Sequence, residues 1–147
     1  MSPLAKAVKK AKRVYLCGNG GSAANANHIA NDLVSCGIKA IPLTEISTLT
    51  AIANDYGYQY VFSHQLKVFG EKGDLLIALS GSGNSPNILN ALRTAKDMGL
   101  DTWAIVGGGL AKKLSRHTLT NPNMQESEQV QLEIGHRLLK ELGGKRV

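Results

Sequence analysis

The sequence predicts an α/β domain built on a five-stranded parallel sheet, and three observations carry that expectation. Short apolar runs, among them Val14-Tyr15-Leu16-Cys17 and Leu75-Leu76-Ile77-Ala78-Leu79, alternate with longer stretches of helical periodicity. Such alternation builds βαβ units, whose strands lie parallel and are buried on both faces. Glycines stand where helices must stop, at Gly37, Gly70, Gly99 and Gly143, as helix C-termini favour. Two loops rich in serine and glycine follow the first and third strands. In a doubly wound sheet of order 2-1-3-4-5 the strand order reverses between those two strands. Ligands bind at that switch point, beyond the carboxyl ends of the strands.

Each element follows in order. Residues 4–12 carry Lys and Ala at helical spacing and form a short N-terminal helix within 1–12. Val14–Cys17 is the first strand, and it runs into Gly18-Asn19-Gly20-Gly21-Ser22. Ala23–Val34 reads as a helix, Ile38–Leu43 as the second strand, and Glu45–Ala53 as a short helix stopping at Asn54-Asp55. Tyr56–Phe69 is amphipathic and reads as one helix. Leu75–Leu79 is the third strand, followed by Ser80-Gly81-Ser82-Gly83-Asn84-Ser85. Pro86–Met98 is a helix, because proline suits a first helical turn, where its missing N–H costs nothing. Thr102–Val106 is the fourth strand, Leu110–Ser115 a short helix, His117–Asn121 a weak fifth strand, and Glu126–Leu142 the last helix.

The 147 residues suffice for one domain, 1–147, with a real core. No apolar run reaches the length of a membrane span, and no signal-type segment opens the chain. Cys17 and Cys36 form no metal-type pair and read as reduced thiols of a cytoplasmic protein. The net charge of +6 favours an anionic ligand. Its basic residues are scattered, in small clusters at Lys9–Arg13, Lys112–Arg116 and Lys145–Arg146, and few aromatics are interleaved with them. Nucleic-acid binding is therefore unsupported, and the charge reads as solvated surface.

The loop after the third strand is the strongest chemical signal. A helix N-terminus presents free N–H groups and partial positive charge. Gly81 and Gly83 let backbone approach a ligand, and Ser80, Ser82 and Ser85 add hydroxyl donors. The matching guest is a phosphate; the plainer reading is a turn of small residues. The first loop also fits G-x-G-x-x-A, a dinucleotide pattern. That reading needs an acid at the end of the second strand, and the first acid beyond it is Glu45. It would also leave the second loop without a role.

Three stretches resemble the sugar isomerase (SIS) domain: Gly18-Asn19-Gly20-Gly21-Ser22-Ala23-Ala24, Ala51-Ile52-Ala53-Asn54-Asp55-Tyr56-Gly57-Tyr58 and Ser80-Gly81-Ser82-Gly83-Asn84-Ser85. With Ile134-Gly135-His136 near the end, the match is similar to the phosphoheptose isomerase branch. That branch interconverts sedoheptulose 7-phosphate and D-glycero-D-manno-heptose 7-phosphate. The resemblance implies a flavodoxin-like three-layer α/β/α sandwich and a homo-oligomer, tetramer or dimer. It also implies substrate binding by Asn19, Gly20, Gly21, Ser22, Asn54 and Asp55, with phosphate held by Ser80, Gly81, Ser82 and Ser85.

By the same resemblance, zinc or another divalent ion falls to His28, Asp32, Glu128 and His136, with Glu128 also at the substrate. The catalytic pair is Asp32, as base at the carbon, and His136, as acid at the oxygen. Asp32 stands where the family has glutamate, Glu128 where it has glutamine, and Gln131 where it has a second histidine. His28 and Asp32 are four apart and share a helix face. Glu128 and His136 are eight apart, roughly 80° around a helix. All four are expected to converge at the carboxyl end of the sheet. His64 and His117 read as ordinary surface or core histidines. The alternative to an isomerase is a non-catalytic SIS module that senses a phosphosugar or binds a protein partner.

Overall fold

The structure is a computed structural model, and it describes residues 1–120 and 127–144. Five strands, β1 Val14–Cys17, β2 Ala40–Pro42, β3 Leu75–Ser80, β4 Asp101–Val106 and β5 His117–Thr120, form one sheet of order β2-β1-β3-β4-β5. Every pairing is parallel. The reversal between β1 and β3 is the switch point expected from the sequence.

Among the described residues seven α-helices flank the sheet: α1 Pro3–Lys10, α2 Gly21–Ser35, α3 Ile46–Asp55, α4 Ser63–Phe69, α5 Pro86–Asp97, α6 Ala111–Leu114 and α7 Ser127–Glu141. Strand side chains alternate between faces, and this alternation divides the core in two. Leu75, Ile77 and Leu79 pack with Leu4, Ile29, Leu33 and Leu138, of α1, α2 and α7. Leu76 and Ala78 pack with Ile52, Leu66, Ile88, Leu92 and Ala111, of α3 to α6. The result is the expected three-layer α/β/α sandwich.

Several element ends shift by one or two residues, α2 starting at Gly21 and β3 taking in Ser80, and two elements differ more. The single helix expected over Tyr56–Phe69 is a 3₁₀ turn, Tyr58–Tyr60, followed by α4. Gly57 sits at φ 119°, a backbone conformation no helix continues through. The second strand is shorter than Ile38–Leu43, because the Ile38 N–H is used to close α2, donating to the Leu33 carbonyl at 3.0 Å. The predicted end of the fifth strand at Asn121, the predicted helix start at Glu126 and the cluster Lys145–Arg146 lie outside the described residues.

Candidate active site

The β3–α5 loop is built by its own serines. Ser80 Oγ accepts from the Gly83 N–H at 3.1 Å, and Ser82 Oγ from the Asn84 N–H at 3.1 Å. Ser85 caps α5, and its side chain makes no capping hydrogen bond. Gly83 has φ 68°, and a Cβ there would fall on the Gly108 carbonyl oxygen. The run Gly107-Gly108-Gly109 therefore does more than end a strand: it is where the two loops pack backbone on backbone. The Gly107 N–H donates to the Gly81 carbonyl at 3.0 Å, and the Ala111 N–H to the Gly83 carbonyl at 2.9 Å.

The β1–α2 loop lies beside it on the neighbouring strand. Asn19 and Asn87 exchange amide hydrogen bonds in both directions, each 2.8 Å. Ser22 is buried, and its Oγ accepts from Gln131 Nε2 at 3.1 Å. Gln131 Oε1 in turn accepts from Asn25 Nδ2 at 3.0 Å. So α7 runs parallel to α2, with its start over both loops. Ser127 Oγ lies 3.0 Å from where a Cβ on Gly81 would stand, and a Cβ on Gly21 would collide with the Glu128 carboxylate. An acid there suits the positive end of α2.

Farther along the same helix pair, His28, Asp32 and His136 converge. Their ligand atoms all lie within 4.8 Å of one another. His28 Nε2 stands 3.4 Å from Asp32 Oδ2, and the His28 and His136 rings meet edge to face at 5.5 Å. Asp32 is 2% exposed. Two imidazoles and a carboxylate are the donors zinc and related divalent ions take. Ligands at about 2.1 Å from a tetrahedral ion stand about 3.4 Å apart, so the His28–Asp32 spacing fits the group.

The four expected ligands therefore do not all gather. Glu128 lies outside the three-residue group, over Gly21, because eight residues are about 12 Å of helix rise as well as a rotation. Nor does the group sit at the rim of the sheet. His28 and Asp32 lie about 10 and 16 Å along α2 from its start at Gly21, at about 1.5 Å per residue. Asn54 and Asp55, exposed at the end of α3, bond to each other at 3.0 Å. His64 lies against Tyr56, and His117 stacks on Trp103 and faces Asp101, as ordinary histidines do. Burial pushes the Cys17 thiol up to about 12, which leaves it inert.

Asn87 and Ser127 are site-building residues that sequence reasoning passed over, and Tyr58 and Gln131 were noted there without a role in building the site. Tyr58 reaches Asn19 through its hydroxyl, which donates to Oδ1 at 2.7 Å. Besides the family resemblance, the signal for Gln131 is a polar residue on the buried side of an amphipathic helix.

Fold and site together define a doubly wound α/β protein with an anion-type loop pair at its switch point and a metal-type group beside it. A profile of the SIS domain matches residues 2–107, and the chain belongs to that family. The phosphoheptose isomerase of Helicobacter pylori (strain HPAG1) is 47% identical over 120 residues, covering 76% of this chain. The phosphoheptose isomerase of a Nitratiruptor species is 42% identical over 144 residues, covering 90% of this chain and 77% of that protein. A solved phosphoheptose isomerase structure from Neisseria gonorrhoeae superposes with a TM-score of 0.88 at 30% identity, covering 95% of this chain and 83% of that one. The chain spans 62% of the length of the Helicobacter relative.

Proposed function

We propose that this chain is an aldose–ketose isomerase that converts sedoheptulose 7-phosphate to D-glycero-D-manno-heptose 7-phosphate. The observation that carries the reading is the convergence of His28 and Asp32, on the helix that begins at the first anion-type loop, with His136 of α7. The reaction moves a proton between C1 and C2 through an enediol. It needs a base at the carbon and an acid at the oxygen. In this reading the phosphate rests on Ser80, Gly81, Ser82 and Ser85.

Asp32 takes the carbon-bound proton, and burial beside His28 holds its carboxylate in place. His136, exposed on α7, serves the oxygen. Asn19, Gly20, Gly21, Ser22, Asn54 and Asp55 hold the sugar. The position of Glu128 over Gly21 supports its substrate role. His28, Asp32 and His136 would hold a divalent ion, zinc by the family resemblance. When bound, such an ion supplies polarisation of the sugar oxygens. We also read the protein as a cytoplasmic homo-oligomer, tetramer or dimer.

Coupled turnover of sedoheptulose 7-phosphate, with and without added zinc, tests the proposal. Turnover is expected, with His136→Ala abolishing it and leaving phosphate binding nearly intact. Wild-type protein that binds the sugar phosphate and never turns it over, zinc present or absent, would shift the reading to a phosphosugar-binding module.

A further inference from the structure

The two anion-type loops are joined through Asn19 by Asn87 and Tyr58, two side chains to which the reaction above gives no role. Asn87 is the second residue of α5 and 1% exposed. It thus sits in the helix turn that faces the phosphate seat, 68 residues away from Asn19 in the other loop. Their amides form a closed pair, each donating to the other at 2.8 Å. The Tyr58 hydroxyl adds a third bond, donating to Asn19 Oδ1 at 2.7 Å. A side-chain carbonyl oxygen accepts two hydrogen bonds, so Asn19 Oδ1 is saturated by Asn87 and Tyr58. Of its four hydrogen-bonding sites, only one amide hydrogen is left for a ligand. The Asn19 side chain is therefore held by the protein and fixes the Gly18–Ser22 backbone.

We infer that Asn87 and Tyr58 are positioning residues that lock the first glycine loop to the phosphate-binding turn, so that phosphate seated on Ser80–Ser85 orders the loop that receives the rest of the sugar. The inference rests on the phosphosugar reading above for its ligand. The lock itself needs only the three hydrogen bonds. Its three members come from three separate segments: the β1–α2 loop, the 3₁₀ turn behind α3, and the first turn of α5. Removing one bond of the lock loses about 0.5–1.5 kcal/mol. That corresponds to a roughly 2- to 10-fold loss in any step that requires the fixed loop.

Hydrogen exchange of the 18–22 amides, with and without saturating inorganic phosphate, tests the lock without any turnover. In wild-type protein, phosphate should slow exchange at both the 80–85 and the 18–22 segments. In Asn87→Ala and Tyr58→Phe it should still protect 80–85 and no longer protect 18–22. Tyr58→Phe removes one exposed hydroxyl, so it decides the matter if Asn87→Ala does not fold. Where the enzyme turns over, Tyr58→Phe should lower kcat 2- to 10-fold, with little change in KM or melting temperature. Equal protection of 18–22 in wild type and Tyr58→Phe would overturn the lock, as would absence of that protection in wild type. An inactive wild type that shows the exchange pattern would remove the isomerase reading and leave the lock standing.

Discussion

Ser82 and Ser85 have the same chemistry and different duties. The Ser82 hydroxyl accepts the Asn84 N–H and so holds the shape of its loop, whereas the Ser85 side chain makes no capping bond of its own. Ser85→Ala should therefore weaken phosphate-ester binding by about 1–3 kcal/mol, as loss of a charge-assisted hydrogen bond does, with stability unchanged. Ser82→Ala should weaken binding and lower the unfolding midpoint together. Calorimetric titration and thermal unfolding of both variants separate the two. Unchanged affinity in both would remove this loop from the site. The serines were legible as donors because they interrupt a buried strand and a proline-started helix. Their division of labour was not, because it depends on which N–H each hydroxyl meets.

At the scale of elements, the pairing of α2 with α7 makes the site. Gly135 permits it: a Cβ there would stand 2.5 Å from Ile29 Cγ1, a side chain in the core. A glycine inside a helix ordinarily costs about 1 kcal/mol relative to alanine, so alanine at an open site would stabilise. Here overpacking of about 1–3 kcal/mol opposes that gain. Gly135→Ala should leave stability equal or lower and should push His136 away from His28, weakening zinc binding. Denaturation and zinc titration check this; a stabilised variant with unchanged zinc affinity would count against the close contact. The helices themselves were readable from periodicity, and the His28–Asp32 pair from the family resemblance, its spacing placing both on one helix face. What failed was local or long-range. One glycine at φ 119° broke the helix expected over Tyr56–Phe69. The place of Glu128 depends on rise as well as phase, and the bond between Asn19 and Asn87 joins residues no local pattern connects.

At the scale of the whole molecule, the strand order β2-β1-β3-β4-β5 agrees with the doubly wound arrangement that puts both loops at one switch point. The closing contact between the first and last helices was not readable. Glu141, on α7, accepts from the Ser2 hydroxyl at 2.7 Å and from the Ser2 N–H at 3.0 Å. The Ser2 hydroxyl, before the other causes, holds the Glu141 carboxyl below its ordinary value. A carboxyl lowered on folding contributes stability above its unfolded value, about 4.3 for glutamate, and loses it as pH falls through the folded value. Glu141→Gln should therefore lower stability at neutral pH and match wild type at acid pH. Urea denaturation across that range measures the difference, and a gap that persists in acid would mean the contact is not ionic.

The outer face of α3 and α4 sets the last expectation. Ile46 is 72% exposed, Val68 67% and Phe69 56%, beside a groove of about 440 Å³ lined also by Ala51 and Ile52. The buried Tyr15 ties down the end of α4 by donating its hydroxyl to the Phe69 carbonyl at 2.9 Å. Under the homo-oligomer reading a second copy covers it. A twofold contact uses each residue twice. Six such side chains at about 1.5–3 kcal/mol each stand against roughly 4–15 kcal/mol for association. Micromolar association needs a surplus of about 8 kcal/mol, which these ranges reach only where the face is fully covered. Sedimentation should then show a dimer or tetramer. Val68→Glu with Phe69→Glu should dissociate it, because charges would face each other across the axis. A wild-type monomer at micromolar concentration would sink the homo-oligomer reading, and a double variant that stays assembled would move the contact to another face.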